Sequence, residues 1–371
     1  MREFINGAEA IARGALDSGC TFFAGYPITP ATPILLHMIE ELPKVGGVAI
    51  QAEDEIASMG FCIGAVMTGA RAMTATSGPG ISLYSENIGL AIMGEVPLVI
   101  VNVQRMGPAT GGATTVAQGD VQFMRWGTSG GYPVIVLSPT NVTECYNLTR
   151  HAFDLAERFR VPVFLATDKE VVASSDTVDL AGYQAVPVRD RAIAPAGNGF
   201  VPYRYHPSDE VALMSPYSGP HFVRFTGSSH DERAYLSKKP QDVGALNDHL
   251  AAKIEAHADE ISLVKIDLQE GAETLLISYG ITARSVEEAA QRARAAGKRV
   301  SVLTVYSLWP VPASAILASI PGIRRVIVAE LNLGQYRREI ERLLGKQIEM
   351  IGVNRVDGEL ITPDEIQEHI S

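Results

Sequence analysis

Two kinds of apolar pattern alternate along the first 170 residues. Short uninterrupted runs, such as residues 96–103, are typical of buried strands, while apolar residues at every third or fourth position, as in residues 7–18, predict amphipathic helices. The predicted strands are residues 20–24, 48–51, 71–76, 96–103, 134–138 and 161–167, and the predicted helices are residues 7–18, 81–93 and 142–158. Strands that alternate with helices favour an α/β fold with a parallel sheet covered on both faces.

The pattern changes after residue 170. Residues 170–235 are rich in proline, glycine and tyrosine and have no helical period, so we expect an extended arm or irregular β segment. A connecting helix is predicted at residues 245–261. The α/β alternation then resumes, with strands at residues 274–278, 299–305 and 325–330 and helices at residues 283–296 and 312–320. We therefore predict a first domain at 1–235, a connecting segment at 236–265 and a last domain at 266–371.

The segment 51–80 combines features of a site. Three acids, Glu53, Asp54 and Glu55, precede a helix that contains several glycines, and a strand and the turn at residues 77–80 follow. Each glycine inside a helix costs roughly 1 kcal/mol relative to alanine, so we expect a close neighbour against this helix. A carboxylate at a helix N-terminus can equally be a solvated group, stabilised by about 0.3–1 kcal/mol through the helix dipole.

Two loops hold further candidates. Residues 25–30, Gly-Tyr-Pro-Ile-Thr-Pro, form a rigid double-proline loop that either contacts a ligand or only starts a helix, with Thr29 or Thr32 as its cap. The glycine-rich loop 104–120 follows a strand, which is where open α/β sheets bind ligands, and Arg105 is its one basic residue. An arginine without acids nearby in sequence favours binding of an external anion.

Composition and spacing exclude several classes of protein. The chain has 371 residues and a net charge of −11 with no basic block, which argues against nucleic acid as a partner. Its three cysteines are far apart, so neither a disulfide framework nor an iron–sulfur cluster is expected within it. The turn at 77–80 lacks the lysine of a phosphate-binding loop, residues 229–233 are poor evidence for a catalytic triad, and no spacing resembles a metal motif. With neither a signal peptide nor a membrane span predicted, we expect a cytoplasmic protein.

Several separate motifs resemble one family. GYPITP at 25–30, EDEIASMG at 53–60, GARAMTATSGPG at 69–80 and VNVQR at 101–105 resemble the α subunit of the thiamine diphosphate-dependent 2-oxoacid:ferredoxin oxidoreductases. SLWP at 307–310, ELNLGQ at 330–335 and GELITP at 358–363 are similar to its 2-oxoglutarate branch. The resemblance implies a pyrimidine-binding thiamine diphosphate domain followed by a domain like the transketolase C-terminal domain.

The resemblance also implies roles for individual residues. Glu55 would bind the aminopyrimidine ring of the cofactor, Tyr26, Ile28 and Thr29 would line the cofactor and substrate, and Arg105 would lie near the substrate carboxylate. Thr29 and Arg105 join Glu55 as the expected catalytic residues, and no metal ligand is expected in this chain. Two departures, in the loop 105–114 and at Ser129, where relatives commonly have histidine, leave the 2-oxoacid open.

The implied reaction is oxidative decarboxylation of 2-oxoglutarate with coenzyme A to succinyl-CoA, with electrons passed to ferredoxin. The alternatives are pyruvate or a branched-chain 2-oxoacid as substrate, a subunit of a non-oxidative thiamine enzyme, or a scaffold subunit without a working site. The resemblance implies a β subunit that carries the pyrophosphate-binding domain, Mg²⁺ and a [4Fe-4S] cluster, in a heterodimer or a dimer of heterodimers.

Overall fold

The computed structural model of the chain describes residues 2–180, 187–197 and 199–370. The strands are β1 Glu3–Asn6, β2 Phe22–Gly25, β3 Val48–Gln51, β4 Ala72–Thr76, β5 Leu98–Gln104, β6 Ile135–Leu137, β7 Pro162–Asp168, β8 Ser175–Val178, β9 Val264–Asp267, β10 Thr274–Ser278, β11 Val300–Val305, β12 Ser307–Trp309, β13 Arg325–Glu330 and β14 Glu349–Asn354. The helices are α1 Gly7–Asp17, α2 Thr32–Glu41, α3 Glu55–Met67, α4 Pro79–Leu83, α5 Ser85–Met93, α6 Val121–Trp126, α7 Val142–Phe159, α8 Lys169–Ala173, α9 Pro240–Glu255, α10 Ala258–Ile261, α11 Thr282–Ala295, α12 Ala313–Ala318, α13 Arg337–Leu344 and α14 Pro363–Gln367. Short 3₁₀ helices lie at Leu42–Val45 and Gly345–Gln347.

A seven-stranded sheet forms the first half, in the order β12-β6-β7-β5-β4-β2-β3. All its neighbouring strands are parallel except β12, which pairs antiparallel with β6. Its central strands β4, β5 and β7 are buried along their whole length. Alternate residues of β5 pack into different apolar clusters: Val99 and Val101 belong to the cluster that includes α1 and α7, whereas Leu98 and Ile100 belong to the cluster that includes α3 and α5. Because helices cover both faces, these strands need apolar side chains on both sides.

The second half contains a five-stranded sheet in the order β14-β13-β10-β11-β9, in which only β9 runs antiparallel to its neighbour. Strands β1 and β8 form a separate antiparallel pair. Strand β12 was not predicted. It follows β11 of the five-stranded sheet in the chain, yet it pairs with β6 of the seven-stranded sheet. A strand from the second half therefore forms one edge of the sheet of the first half. The predicted domain limits 1–235, 236–265 and 266–371 stay a prediction.

The segment between β8 and α9 is irregular in its described residues, as predicted. It lies along the first half and is held there by ion pairs, Arg191 with Glu157 at 2.8 Å and Arg189 with Asp154 at 2.8 Å. Its buried Tyr203 and Tyr205 pack with Leu246 and Leu250 of α9. The first part of the predicted arm differs, since residues 169–178 form α8 and β8. Residues 181–186 and 198, also predicted as arm, lie outside the described residues.

Three local predictions were wrong. The helix predicted at 81–93 is divided at Tyr84 into α4 and α5, and the connecting helix is divided between α9 and α10. Neither Thr29 nor Thr32 caps α2: the N-cap residue is Ala31, without a side-chain hydrogen bond, and Thr32 is the first helical residue. The N–H of Thr32 is instead satisfied by the carbonyl oxygen of Ile28 at 2.9 Å, so no side-chain cap is needed there.

Candidate functional site

The candidate residues follow the carboxyl ends of neighbouring parallel strands. The loop 26–31 follows β2, the acidic segment precedes α3 after β3, the turn 77–78 follows β4, and the loop 105–120 follows β5. These strands are adjacent in the order β5-β4-β2-β3, so their loops meet at one edge of the sheet. That edge is where open α/β sheets bind ligands.

The three consecutive acids have three different environments. Glu53 is exposed to solvent. Asp54 is the N-cap of α3, and its Oδ1 accepts a hydrogen bond from the N–H of Ala57 at 2.7 Å. Glu55, the first residue of the helix, is only 7% exposed. The solvated-carboxylate interpretation therefore does not hold for Glu55, and the capping role belongs to Asp54.

Glu55 lies against the end of β4 and the turn that follows it. A Cβ atom at Gly80 would stand 2.9 Å from Glu55 Oε1 and would also collide with Thr76 Oγ1. The hydroxyl oxygens of Thr76 and Ser77 are buried and have no hydrogen-bond partner among the described residues. Buried hydroxyl groups without partners are rare, because each costs about 1–3 kcal/mol. The Glu55 carboxyl group and the free Thr76 hydroxyl thus border the space left open by Gly80, and with the adjacent residue Ser77 they define a polar recess.

Arg105 lies against Gly78 of the same turn. A Cβ atom at Gly78, whose φ is +45°, would be 3.1 Å from Arg105 Nε, and this close approach requires glycine. Arg105 as a residue is 4% exposed, and its guanidinium donates to the carbonyl oxygens of Thr29 at 2.5 Å and Thr110 at 3.2 Å and keeps Nε without a partner. No carboxylate pairs with it among the described residues. A buried cation held only by neutral carbonyls is suited to accept an anion.

The three predicted site residues of the loop 26–31 differ in burial and in their contacts with Arg105. Thr29 contacts Arg105 through its backbone oxygen, so the structure brings these two predicted residues together. Ile28 is partly buried against the core that includes α1 and α7, and Tyr26 is 38% exposed. The turn 77–80, rejected as a phosphate loop, lies next to Arg105 at Gly78 and next to Glu55 at Gly80. The ligand roles of Tyr26, Ile28, Thr29, Glu55 and Arg105 stay predictions.

A cavity of about 660 Å³ opens beside this turn. Its walls come from the turn and α4 (residues 78, 79 and 82), from the segment after β5 (residues 106–109, 117, 119, 120 and 123) and from the second half (residues 331–333, 335 and 356). Gln118 joins the halves: its Nε2 donates to Asp168 Oδ2 and to the carbonyl oxygen of Tyr279, both at 3.2 Å. Asn332 Nδ2 in turn donates to the carbonyl oxygen of Gln118 at 2.7 Å. The second half therefore builds one wall of this cavity.

Asp120 was missed by the sequence reasoning, which considered only the basic residue of its loop. Its Oδ2 accepts a hydrogen bond from Asn102 Nδ2 at 3.0 Å, and its N–H donates to Gln104 Oε1 at 3.0 Å. Burial raises the pKa of Asp120 to about 6, although the hydrogen bond from Asn102 and the charge of Arg105 act in the opposite direction. The sequence feature that could have indicated a polar partner here is the pair Asn102 and Gln104 at the end of the otherwise apolar strand β5.

The close neighbour that we expected against the glycines of α3 is absent from the described part of the chain. Nothing lies within 4 Å of a Cβ atom built at Gly60 or Gly64 of α3. On the same helix Ile56 and Phe61 are about half exposed. The face of α3 formed by these four residues, the α3 face, is uncovered within the described part of this chain.

Within residues 2–180, 187–197 and 199–370, no group of three or more His, Cys, Asp or Glu side chains is arranged to hold a metal ion. Cys20, Cys62 and Cys145 are free and buried. No helix in the same ranges has the length and apolar character to cross a membrane.

Two family profiles match the chain. The profile described as pyruvate flavodoxin/ferredoxin oxidoreductase, thiamine diphosphate-binding, matches residues 13–235, and that of the pyruvate:ferredoxin oxidoreductase core domain II matches residues 272–366. The 2-oxoglutarate synthase subunit KorA of Methanothermobacter thermautotrophicus is 42% identical over 364 residues, which cover 98% of this chain and 96% of that protein.

Solved structures agree with this result. The 2-oxoglutarate:ferredoxin oxidoreductase from Magnetococcus marinus, with 2-oxoglutarate, coenzyme A and succinyl-CoA bound, superposes with a TM-score of 0.93 at 31% identity. The match covers all of this chain and 64% of that one. A split-gene transketolase in an inactive β4 tetramer superposes with a TM-score of 0.54 at 14% identity over 98% of this chain and 95% of that one, which shows likeness of fold alone. The predicted fold class and family resemblance are confirmed.

Proposed function

The chain belongs to the thiamine diphosphate-binding family of pyruvate flavodoxin/ferredoxin oxidoreductases, and from this membership we propose that it is the α subunit of a 2-oxoglutarate:ferredoxin oxidoreductase. The proposed enzyme converts 2-oxoglutarate and coenzyme A to succinyl-CoA and carbon dioxide and passes electrons to ferredoxin. The observation that carries the proposal is the burial of Glu55 beside the partnerless Thr76 hydroxyl, next to a turn that also lies against Arg105.

The recess at Glu55 fits the aminopyrimidine ring of thiamine diphosphate. The ring is small and polar, and the recess offers a carboxyl group, the hydroxyls of Thr76 and Ser77, and a floor at Gly80 that a side chain would fill. When bound, thiamine diphosphate supplies a nucleophilic carbon for the substrate carbonyl and an electron-accepting ring that lets the carboxylate leave as carbon dioxide. Glu55 would hold a proton toward a ring nitrogen, and its burial keeps water from competing for that proton.

Arg105 would bind the carboxylate next to the reacting carbonyl. Among the described residues no carboxylate forms an ion pair with it, and its Nε has no hydrogen-bond partner. Its other nitrogens hold the carbonyl oxygens of Thr29 and Thr110, which fixes the guanidinium before the substrate arrives. Preorganised donors of this kind bind a carboxylate at little cost in side-chain entropy.

A β subunit would complete the site and carry Mg²⁺ and the [4Fe-4S] cluster. The α3 face supports this division, because α3 begins at Glu55 and its open glycines and half-exposed Ile56 and Phe61 can accept a closely packed partner beside the recess. A partner seated there would supply the neighbour that the glycine pattern predicts. The assembly would be a heterodimer or a dimer of heterodimers.

The test compares the isolated chain with the chain co-expressed with its β subunit. We expect the isolated chain to be colourless and inactive and the complex to be brown and active. In the complex, kcat/KM for 2-oxoglutarate should exceed the values for pyruvate and 2-oxoisovalerate. Preference for one of those acids would refute the substrate, release of an aldehyde without reduction of ferredoxin would identify a non-oxidative enzyme, and an inactive complex with full cofactor content would indicate a scaffold subunit.

A further inference from the structure

We propose that Gly358 is a positioning residue of the second half: its backbone closes on the loop that carries Arg105 and thereby sets how tightly the site binds the substrate carboxylate. The identity of that carboxylate rests on the proposed function. The contact itself joins Gly358, the first residue of the motif GELITP, to Thr115 and Met106 of the first half.

Gly358 has no room for a side chain. Its φ is +88°, and a Cβ atom built on it would stand 2.1 Å from Thr115 Cγ2 and 3.2 Å from Met106 Cε. Carbon atoms that are not bonded to each other pack at about 3.5–4.0 Å, so a side chain at this position would push the two segments apart by roughly 1 Å or more. This approach of the second half to the loop therefore requires glycine.

Hydrogen bonds connect Thr115 to Arg105. The carbonyl oxygen of Thr115 accepts from the N–H of Met106 at 2.9 Å, and Met106 follows Arg105 in the chain. The carbonyl oxygen of Met106 accepts from the N–H of Gly112 at 3.0 Å, which closes a hairpin that runs from Met106 to Thr115. Within this hairpin, the carbonyl oxygen of Thr110 accepts from Arg105 Nη2 at 3.2 Å. A displacement of Thr115 therefore reaches the guanidinium both through its own backbone and through Thr110.

The loop of the second half that holds Gly358 is fixed on both sides of the glycine. Asp357 accepts two hydrogen bonds from Arg355 Nε, at 2.8 and 3.0 Å, and its Oδ1 also accepts from the N–H of Glu359 at 3.1 Å. Residues 107–111 of the hairpin, in contrast, are exposed. Because both neighbours of Gly358 are held, a side chain added at this position should displace the hairpin rather than the second half.

The displacement should stay within the hairpin and Arg105. Beyond Thr115 the loop is anchored at Gln118, whose Oε1 accepts from Thr282 Oγ1 and from the N–H of Leu331, both at 3.1 Å. Glu55 lies on α3 and borders Gly80, outside this series of contacts. The expected defect is therefore in substrate binding and not in activation of the cofactor.

Kinetics can separate this effect from a general loss of stability. In Gly358→Ala the KM for 2-oxoglutarate should rise about tenfold, which corresponds to the loss of one well-placed charge-assisted hydrogen bond. The kcat should change less than about twofold, and hydrogen–deuterium exchange at C2 of the bound thiamine diphosphate should keep its wild-type rate. A complex that is merely destabilised would instead lose kcat in proportion to its inactive fraction and keep its KM.

The experiment uses the complex of this chain with its β subunit and measures reduction of ferredoxin at saturating coenzyme A. Its variants are Gly358→Ala, Thr115→Ser and the double variant, because serine removes the colliding Cγ2 atom and keeps the hydroxyl; together they form a double-mutant cycle. The matched control is Gly297→Ala. Gly297 also lies in the second half and has a φ of +83°, but no described atom lies within 4 Å of a Cβ built on it, so this variant has the backbone strain without the contact.

We expect a raised KM in Gly358→Ala, recovery of most of the loss in the double variant, and wild-type kinetics in Gly297→Ala. An unchanged KM in Gly358→Ala, a KM that the double variant does not restore, or an equal rise in Gly297→Ala would overturn the inference and leave the proposed function intact.

If Gly358→Ala does not assemble, the double variant decides. Its assembly with a KM near that of the wild type supports the inference, whereas its failure to assemble or a raised KM overturns it. If the wild-type complex prefers pyruvate or 2-oxoisovalerate, the proposed substrate fails and the same comparison is made with the preferred acid. If no 2-oxoacid is oxidised, the proposed function and the inference both fail.

Discussion

Replacement of Glu55 by glutamine tests the central assignment. The change is nearly isosteric and removes only the ability of the side chain to hold a proton as an acid. Glu55 is buried at the first position of α3, while the cap of that helix is Asp54, so the helix start keeps its hydrogen bond in the variant. We therefore expect Glu55→Gln to fold, assemble with its partner and bind thiamine diphosphate.

Turnover should nevertheless fall steeply. Positioned proton transfer contributes about 10²–10⁴-fold to rate, which corresponds to about 3–5 kcal/mol of activation free energy. Glu53→Gln is the matched control, because Glu53 is two residues away but exposed. In this control the activation free energy of turnover should rise by less than about a tenth of the rise expected for Glu55→Gln.

The deciding assay is hydrogen–deuterium exchange at C2 of the bound cofactor, measured by quenched NMR on both variants. This assay reports the cofactor-activating step without dependence on substrate, coenzyme A or ferredoxin. Slow exchange in Glu55→Gln with normal exchange in Glu53→Gln is the expected result. Normal exchange in Glu55→Gln, or slow exchange confined to Glu53→Gln, would refute the assignment.

Two further predictions concern Arg105 and the buried Lys253. Arg105→Lys loses the planar guanidinium that can bind Thr29, Thr110 and a carboxylate at the same time. In this variant kcat/KM for 2-oxoglutarate should fall at least tenfold, while the Kd of thiamine diphosphate should change less than twofold. Arg324→Lys at an exposed position is the control, and equal losses in kcat/KM and in cofactor affinity would assign Arg105 to the cofactor. Lys253 and His249 both donate to Glu95 in a fully buried cluster. Burial would raise the pKa of Glu95, but Lys253 and His249 hold this pKa below its ordinary value. The ionised Glu95 therefore stabilises the folded protein above about pH 4.5, and this contribution is lost as the pH falls. Lys253→Met should lower the free energy of unfolding at pH 7, measured by urea titration, by about 3–5 kcal/mol. The double variant Lys253→Met with Glu95→Gln should regain most of this loss. A free energy of unfolding of Lys253→Met within about 1 kcal/mol of the wild type would contradict the prediction.

Much of the fold was readable from local patterns. Uninterrupted apolar runs identified β5 and β7 within two residues of their observed ends, and β3 and β13 were predicted at their observed positions. Such runs are informative because a strand covered on both faces needs apolar side chains at every position. The irregular arm was also predicted, since a proline- and glycine-rich segment without periodicity has no regular face to bury.

The candidate site was predicted only in part. Glu55 and Thr29 were chosen through a family resemblance, because the residue pattern alone left three acids as equal candidates, whereas Arg105 was indicated by the residue pattern of its loop as well. The burial of one of these acids depends on Gly80, which lies 25 positions further along the chain and contacts Glu55 only after β4 and α3 are packed together. Sequence order cannot give that contact.

The sequence by itself determined the class of fold, the order of its elements and the rigid loops beside the strand ends, because these follow from the period of apolar residues and from the limited backbone freedom of proline. Only the tertiary structure decided that Asp54 caps α3 while Glu55 is buried, that Asp120 accepts a hydrogen bond from Asn102, and that β12 joins the first sheet from the second half. Burial, charge environment and sheet membership depend on neighbours that are distant in sequence, so no local pattern encodes them.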